Sequence, residues 1–235
     1  MPPRRTPSRR SYDQYCAAAR ALDAVGDRWT LLVVRELLVG PRRYTDLHAD
    51  LPGVSTDVLA SRLKDMEREG LVTRRKLPPP AAASVYELTG RGRELLPVLQ
   101  ALGTWGAPAL AERRDTDAVR AHWFALPLLR HLAGLGVPGT AEVRLDEGQF
   151  HVRVGEAPVG ETSVGETTVG ETVGDTGYGD GPAPTDPDVR LALSAETCAE
   201  VSRGAATLAE AVRDGRIEVT GEGRLAKALA ALRET

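Results

Sequence analysis

The sequence has few of the features that mark secreted, membrane or metal-binding proteins. Only two of its 235 residues are cysteines, Cys16 and Cys198. Because they lie far apart without C-x-x-C spacing, neither a disulfide framework nor a zinc cluster is expected. Asparagine is absent, which excludes N-glycosylation. No apolar run approaches the roughly 18 residues that span a bilayer, and residues 1–10 are rich in Pro and Arg, unlike a signal peptide. We therefore expect a cytoplasmic protein that makes no membrane contact.

Motifs for catalysis and cofactor binding are also missing. The four histidines lack metal-ligand spacing such as H-E-x-x-H, and neither G-x-S-x-G nor G-x-x-x-x-G-K-[ST] occurs. One segment, 221–226, matches the dinucleotide-binding pattern G-x-G-x-x-A between a predicted strand and a predicted helix. Only nine residues follow it, without a second strand or a ribose-binding acid, so we reject a dinucleotide site. No enzymatic activity, cofactor or metal ion is expected.

Charge is distributed unevenly along the chain, although the total is only −3. Residues 1–114 carry 19 Lys and Arg against 13 Asp and Glu, a net of +6, whereas residues 115–235 carry 11 against 20, a net of −9. Charge blocks of this kind indicate which partner each segment meets, so a polyanion would bind the first half. The four arginines and three prolines of residues 1–10 predict a disordered basic arm.

Helix signals dominate the beginning of the first half. Apolar periodicity predicts helices at 13–25 and 29–39, each followed by glycine, and a short helix at 44–51. After a Pro-Gly turn, Ser55 or Thr56 is the expected N-cap of a helix to Glu69. Its apolar residues fall at i, i+4 and i+7, which predicts one buried face and one small, polar, outward face.

A hairpin and a long helix complete this module. Strand signals at 71–77 and 84–88 flank a tip, 78–83, that is too rich in proline to pair fully. Thr89 then caps a helix that runs through Trp105 and is expected to kink at Pro97. The elements follow the order of a winged helix-turn-helix: helix, short helix, turn, polar-faced helix and basic hairpin. This motif places one helix in the major groove. We assign this DNA-binding domain, which the resemblance described next implies is also the dimerisation domain, to residues 11–115.

Seven stretches of the module resemble the HxlR-type winged-helix regulators, which have a MarR-like fold. They are Cys16-Ala-Ala-Ala-Arg-Ala-Leu22, Gly26-Asp-Arg-Trp-Thr-Leu-Leu32, Gly40-Pro-Arg-Arg-Tyr44, Leu59-Ala-Ser-Arg-Leu63, Glu69-Gly-Leu71, Tyr86-Glu-Leu-Thr89 and Trp105-Gly106. The resemblance covers about residues 14–110. It implies a transcriptional regulator that binds double-stranded operator DNA as a two-fold symmetric homodimer. The first and last helices of the module are expected to form most of the dimer contact, and Trp29 and Trp105 to lie in the core or at that contact.

The position of each polar residue in the module predicts its role at DNA. On or near the groove-facing side of the recognition helix we expect Ser55, Thr56, Asp57, Ser61 and Lys64. Arg62 lies beside them and is assigned either to DNA-backbone contact or to a structural role in the interior of the module. The candidates for phosphate contacts, which position a protein without reading sequence, are Arg42, Arg43, Arg74, Arg75 and Lys76. The tip of the wing, 78–83, departs from the family pattern.

Cys16 has two interpretations at this stage. Some members of the resembling family carry a cysteine near this position that senses oxidants or electrophiles, whereas a cysteine within a helix is often simply buried. Neighbouring Arg20 and Tyr12 do not decide the ionisation of the thiol. A redox-sensing regulator therefore remains an alternative that keeps the DNA-binding function and changes only the input signal.

The second half is predicted to be a small α+β domain over residues 118–235. The predicted helices are 118–135, one capped by Ser194, 207–214 and 224–232, and the predicted strands are 141–145, 149–154, 189–193 and 216–220. Residues 155–187 contain Val-Gly-Glu-Thr at 159, 164 and 169, which predicts a flexible loop rich in glycine and acid. An irregular β ribbon is the alternative for this segment.

This half resembles a sterol-carrier-protein-type (SCP2-like) domain, on the strength of Asp188-Val-Arg-Leu-Ala-Leu193, the helix pair through Leu208, and Gly215-Arg-Ile-Glu-Val-Thr-Gly221 before a last helix. The resemblance implies an apolar cavity between sheet and helices that suits a small hydrophobic effector. Candidate lining residues are Leu191, Leu193, Leu208, Val212, Val219 and Leu225. A plain dimerisation or packing domain is the competing interpretation, and a lipid carrier whose winged helix contacts only protein is the competing function.

Overall fold

The structure is a computed structural model, and it describes residues 11–78, 83–155 and 177–233. The chain divides into two compact units between Leu96 and Pro97. The predicted basic arm, most of the wing tip and residues 156–176 of the predicted loop lie outside the described residues. None of the helices within the described ranges combines the length and apolarity needed to cross a membrane.

The first unit consists of helices and a small antiparallel sheet. Its helices are α1 (Ala17–Val25), α2 (Thr30–Leu38), α3 (Tyr44–Asp50), α4 (Thr56–Arg68) and α5 (Gly90–Arg93), and its strands are β1 (Arg42–Arg43), β2 (Val72–Lys76) and β3 (Ser84–Leu88). The strand order is β1-β3-β2. Strands β2 and β3 form the predicted hairpin, whereas β1 is too short to have been predicted from periodicity.

Helix α4 begins and ends where its sequence predicts. The Ser55 hydroxyl accepts a hydrogen bond from the backbone N–H of Val58 at 3.3 Å, which satisfies one free donor of the first turn. At the other end Gly70 takes a φ of 67°, a left-handed conformation that glycine adopts without a steric penalty. Leu59, Leu63 and Met66 are buried, so the helix has one apolar face and one open face.

The long helix predicted from Thr89 is interrupted in the structure. Thr89 caps α5, as its hydroxyl accepts from the N–H of Gly92, but α5 ends at Arg93 and a separate helix, α6, spans Leu96–Gly106. Pro97 explains the break, because proline has no N–H and its ring clashes with the carbonyl four residues earlier, here that of Arg93. The expected kink is therefore a complete interruption.

The second unit is an α+β structure around one mixed sheet. After α6 come two 3-10 turns, Ala107–Ala111 and Ala121–Phe124, and then helices α7 (Ala125–Ala133), α8 (Ala195–Ser202), α9 (Leu208–Arg213) and α10 (Arg224–Ala231). The strands are β4 (Gly139–Leu145), β5 (Gly148–Val154), β6 (Gly177–Asp180), β7 (Val189–Leu193) and β8 (Ile217–Thr220), in the order β6-β5-β4-β7-β8. Among the strand pairs of the described residues, β4–β7 is parallel and the others are antiparallel.

Two elements of this unit differ from the sequence prediction. Gly177–Asp180, within the range predicted as a flexible loop, is strand β6 and pairs with β5 from Phe150↔Asp180 to Arg153↔Gly177. Its two glycines and single apolar side chain gave no strand signal, and the pairing with β5 supplies the stability instead. The helix predicted from residue 118 starts as a 3-10 turn, and the α-helix begins only at Ala125.

Asp188 of the same chain fills the space beside the glycines of the motif at 221–226. Gly221 has a φ of 133°, and a Cβ on Gly223 would lie 2.7 Å from Oδ1 of Asp188. The other oxygen of this carboxylate accepts a hydrogen bond from the backbone N–H of Thr140 at 2.7 Å. The glycines therefore allow β7 and the start of α10 to approach closely, which accounts for the pattern without a nucleotide.

Candidate nucleic-acid interface

The open face of α4 carries the residues that were predicted to face DNA. Ser55, Thr56, Asp57, Ser61 and Lys64 are all exposed, whereas the opposite face is buried. With 3.6 residues per turn, Asp57, Ser61 and Lys64 fall at i, i+4 and i+7 and form one stripe along the helix. An exposed polar helix face of this kind is the part of a helix-turn-helix that can enter the major groove.

Tyr44 connects the beginning of α4 to α3. Its hydroxyl donates a hydrogen bond of 2.8 Å to the backbone carbonyl of Thr56, the first residue of α4. The Tyr44 ring also stacks on His48 one turn later in α3, with centroids 6.4 Å apart. This contact fixes the first turn of α4 against the preceding helix, as required of a helix-turn-helix. Sequence reasoning placed Tyr44 in a motif but gave it no role.

Arg62 points away from the open face of α4 and is engaged by carboxylates. Its guanidinium lies 3.2 Å from Asp27 and 2.9 Å from Asp65, and its side chain is 21% exposed. Of the two roles considered for Arg62, the geometry matches the structural one, because the guanidinium joins α4 to the α1–α2 turn. Asp27 was not identified from the sequence, since a single acid between two helices has no distinctive pattern.

The basic residues of the small sheet lie in two rows across its strands. Arg42 of β1 and Arg74 of β2 both pair with Tyr86 of β3, and Arg43 and Arg75 both pair with Val85. Neighbouring strands are about 4.8 Å apart, so the two backbones of each row are separated by about 10 Å. The sequence indicated these arginines as two separate groups, and β1 brings them together.

The basic side chains of these two rows differ in exposure and in the contacts they make with other residues. The Arg74 guanidinium lies over the Tyr86 ring, 5.8 Å from its centroid. Arg75 hydrogen-bonds the Glu87 carboxylate at 3.2 Å, and this bond raises the pKa of Arg75. Arg42 is half-buried, with a nitrogen 3.9 Å from Asp50. Arg43 and Lys76 are exposed. Arg74 and Lys76 lie two residues apart on the same face of β2, and both are exposed.

The two cysteines have opposite environments. Cys16 is exposed at the N-cap of α1, where the backbone N–H groups of Ala19 and Ala18 lower the pKa of its thiol. Cys198 is buried in α8, and burial raises the pKa of its thiol to about 12. Since the thiolate is the reactive form, the geometry favours Cys16 as the reactive cysteine. The prediction that it senses oxidants stays a prediction.

Most of the six residues predicted to line an apolar cavity lie in or against the core of the second unit instead. Leu191, Leu208, Val212 and Leu225 are buried in the core of the second unit, Val219 packs against that core, and Leu193 lines a small cavity. The cavity has a volume of about 10 Å³ and is lined by Phe124, Leu128, His131, Leu193, Cys198, Val201, Ser202 and Ile217. That volume holds about one water molecule.

Comparison with known proteins identifies the family of the first unit. The HxlR-like helix-turn-helix model matches residues 24–114. The uncharacterized HTH-type transcriptional regulator YvaP of Bacillus subtilis (strain 168) is 38% identical over 86 residues, which cover 37% of this chain and 80% of YvaP. The uncharacterized HTH-type transcriptional regulator sll1512 of Synechocystis sp. is 38% identical over 97 residues, which cover 41% of this chain and 72% of sll1512. The HTH-type transcriptional regulator YodB of B. subtilis is 34% identical over 96 residues, which cover 41% of this chain and 85% of YodB. The chain thus belongs to the HxlR-like helix-turn-helix family, a family of DNA-binding transcriptional regulators.

Proposed function

We propose that the protein is a dimeric, sequence-specific regulator that inserts α4 into the major groove of operator DNA and places the β2–β3 wing on the flanking backbone. The observation that carries this proposal is the face of α4 that holds Asp57, Ser61 and Lys64, all exposed, opposite a face that is buried. A surface helix packs its apolar face on the core and leaves its polar face exposed, and in a helix-turn-helix this exposed face of the second helix enters the major groove. The function is DNA binding and not catalysis, in agreement with the regulator relatives.

The wing supplies the electrostatic part of this interface. Arg74 and Lys76 lie on one face of β2, and the Tyr86 ring supports the Arg74 guanidinium. Cations that are held in place in this way lose little side-chain entropy when they meet a phosphate. Their contacts add affinity that is independent of base sequence and that decreases with salt.

The proposed dimer uses apolar side chains that one protomer leaves exposed. On α6, Val98, Leu102 and Trp105 fall at i, i+4 and i+7 and are 42%, 44% and 84% exposed. An exposed apolar stripe of this kind is typical of a self-association surface. Leu22 of α1 is 50% exposed, which agrees with the expected use of the first helix. A two-fold dimer requires an inverted-repeat operator.

The test is recovery of bound fragments from sheared genomic DNA by the purified protein at two salt concentrations. We expect a few inverted-repeat sites whose affinity falls steeply as salt rises. Replacing Arg74 and Lys76 by alanine should weaken binding to every site, whereas Lys227→Ala, an exposed lysine of α10, is the matched control and should not. Recovery of no preferred site would contradict the proposal.

For the second unit we propose an SCP2-like domain that tunes DNA binding through a small hydrophobic ligand. In support, helices α8 and α9 lie between β7 and β8 and α10 follows, which is the order on which the resemblance depends. Because the cavity holds only about one water in this conformation, a larger ligand has to displace α7 or α8. A ligand that raises the melting temperature and shifts operator affinity by the same coupling factor supports this role.

A second candidate input is oxidation at Cys16, which is exposed and has a lowered thiol pKa. If it is the sensor, Cys16→Ser abolishes the response of operator binding to an oxidant and leaves the affinity of the reduced protein unchanged. A response that survives the substitution excludes this input.

Because the proposed target of the protein is chromosomal DNA, we place the protein in the cytoplasm.

A further inference from the structure

Helix α4, the proposed recognition helix, lacks the side chains that read adenine with two hydrogen bonds. Adenine is read in this way by Asn or Gln, and guanine by Arg or Lys. The sequence contains no asparagine, and its three glutamines, Gln14, Gln100 and Gln149, all lie outside α4. A residue of α4 that reads a purine with two hydrogen bonds therefore has to be an arginine or a lysine.

Both arginines of α4 are already engaged. Arg62 contacts Asp27 and Asp65, and Arg68 contacts Asp65 at 2.7 Å near the C-terminal end of the helix. Lys64 is exposed, but its single ammonium acts as a point charge that suits a phosphate as well as a guanine edge. Base discrimination at the beginning of α4 must therefore come from other residues.

The first two turns of α4 present an acceptor, an apolar group and a hydroxyl. Asp57 and Ser61 are exposed one above the other, and Val58 is 41% exposed beside them. Within the described structure the Asp57 carboxylate has no hydrogen bond or ion pair. In the major groove a carboxylate accepts from the N4 amino group of cytosine, and an apolar side chain contacts the methyl group of thymine.

We propose that α4 reads pyrimidines: Asp57 accepts a hydrogen bond from the N4 amino group of a cytosine, and Val58 contacts the 5-methyl group of a neighbouring thymine. The inference rests on the proposed function and names the bases of the half-site. A carboxylate close to the phosphates is unfavourable unless a base donor compensates it, so Asp57 also excludes sites that lack a cytosine there. Ser61, which can donate or accept, adds no strict preference.

The first experiment is selection of binding sites from a random duplex library with the full-length protein, its Asp57→Asn variant and its Glu67→Gln variant. Glu67→Gln is the matched control, because it removes the same charge from an exposed position of α4 at the other end of the helix. We expect a C·G pair at one position of each half-site. Asp57→Asn should change the preference there to A·T by about tenfold, since Asn reads adenine, and Glu67→Gln should leave it unchanged.

The second experiment tests Val58 by removing a methyl group from the DNA. Replacing the neighbouring thymine by deoxyuridine should weaken binding of the wild-type protein about threefold to fivefold, in line with the loss of one buried methyl group. Val58→Ser, whose side chain has no methyl group to contact the base, should bind both duplexes equally.

The outcomes separate the inference from the function beneath it. Selected inverted repeats without a C·G preference, or a preference that Asp57→Asn does not alter, overturn the assignment of Asp57 while the regulator function stands. Equal binding of thymine and deoxyuridine duplexes by the wild type overturns the assignment of Val58. A library from which no sequence is enriched overturns the proposed function itself.

Discussion

The guanidinium of Arg62 lies 3.2 Å from the carboxylate of Asp27, so an arginine of the recognition helix holds that helix to the α1–α2 turn. Its second contact, with Asp65 at 2.9 Å, fixes the side chain along α4. We expect Arg62→Ala to lower the free energy of unfolding by about 1 kcal/mol through lost ion pairing and lost packing of the arginine stem. Thermal denaturation measures this effect.

Asp27→Asn serves as the matched variant for this prediction. It should destabilise the protein in the same direction, and the double variant should lose less than the sum of the two, since the residues share one contact. The base preference of operator sites should stay as in the wild type. An altered base preference with unchanged stability would mean that Arg62 reads DNA instead.

Arg74 should contribute to DNA binding through phosphate contact alone. We expect Arg74→Ala to weaken binding to all sequences alike and to reduce the slope of log affinity against log salt by about 0.9 in magnitude per subunit. Tyr86→Leu removes the ring under the guanidinium and should reproduce part of the affinity loss. Binding titrations over a range of salt provide the measurement, and a loss confined to one sequence would be inconsistent with a phosphate contact.

Much of the first unit could be predicted from its sequence, because several helix boundaries carry local signals. Helix α1 is an exception, since it has no side-chain cap and begins at Ala17, four residues after the predicted start. Ser55, Thr89 and Gly70 act locally, and the structure uses them as expected. Strand β1 could not be predicted, because two residues have no periodicity and Arg42–Arg43 becomes a strand only by pairing with β3. A structural role for Arg62 was one of the two predicted, but its partner Asp27 could not be identified, since it lies 35 positions away.

Prediction of the second unit from its sequence has a similar limit. The bounds of β7 match the prediction of 189–193, since its alternating apolar residues are all buried on one side. Its parallel pairing with β4, and the pairing of β6 with β5, depend on contacts between distant segments that periodicity does not report. The cavity lining was predicted from apolar character, but Leu191 and Leu225 fill the core, and the residues that remain around the cavity lie mainly on α7 and α8.

The two thiols should differ in their rate of alkylation. The pKa of Cys16 is lowered, so its thiolate fraction at a given pH is larger than that of an ordinary thiol, whereas burial raises the pKa of Cys198 to about 12. We expect iodoacetamide to modify Cys16 first, at a rate that rises with pH until the Cys16 pKa is passed. Peptide mass spectrometry follows each site, with Cys16→Ser as control. Equal rates in the folded protein would contradict the assigned environments.

Self-association should depend on Trp105, which is 84% exposed in one protomer. If α6 lies in the dimer contact, Trp105→Ser removes a large apolar group from it and should raise the dimer dissociation constant more than tenfold. Sedimentation equilibrium measures the constant directly. Val58→Ser is the control, because Val58 is exposed on α4 and is assigned to DNA. A dimer that is weakened by Val58→Ser and unaffected by Trp105→Ser would reverse both assignments.

Gly223 should tolerate no side chain, because Asp188 occupies the space that a Cβ would need. A Cβ at this position would lie 2.6 Å from the Cβ of Asp188 and 2.8 Å from its Cα, and backbone and Cβ atoms cannot rotate away. We expect Gly223→Ala to destabilise the second unit by roughly 1–3 kcal/mol. Gly177→Ala, where a Cβ would meet no atom of the described residues within 4 Å, should change stability by no more than about 0.5 kcal/mol. Urea denaturation compares the two variants. Equal stabilities would show that β7 and α10 can separate without cost, and would reopen the glycine motif as a site for an external anion.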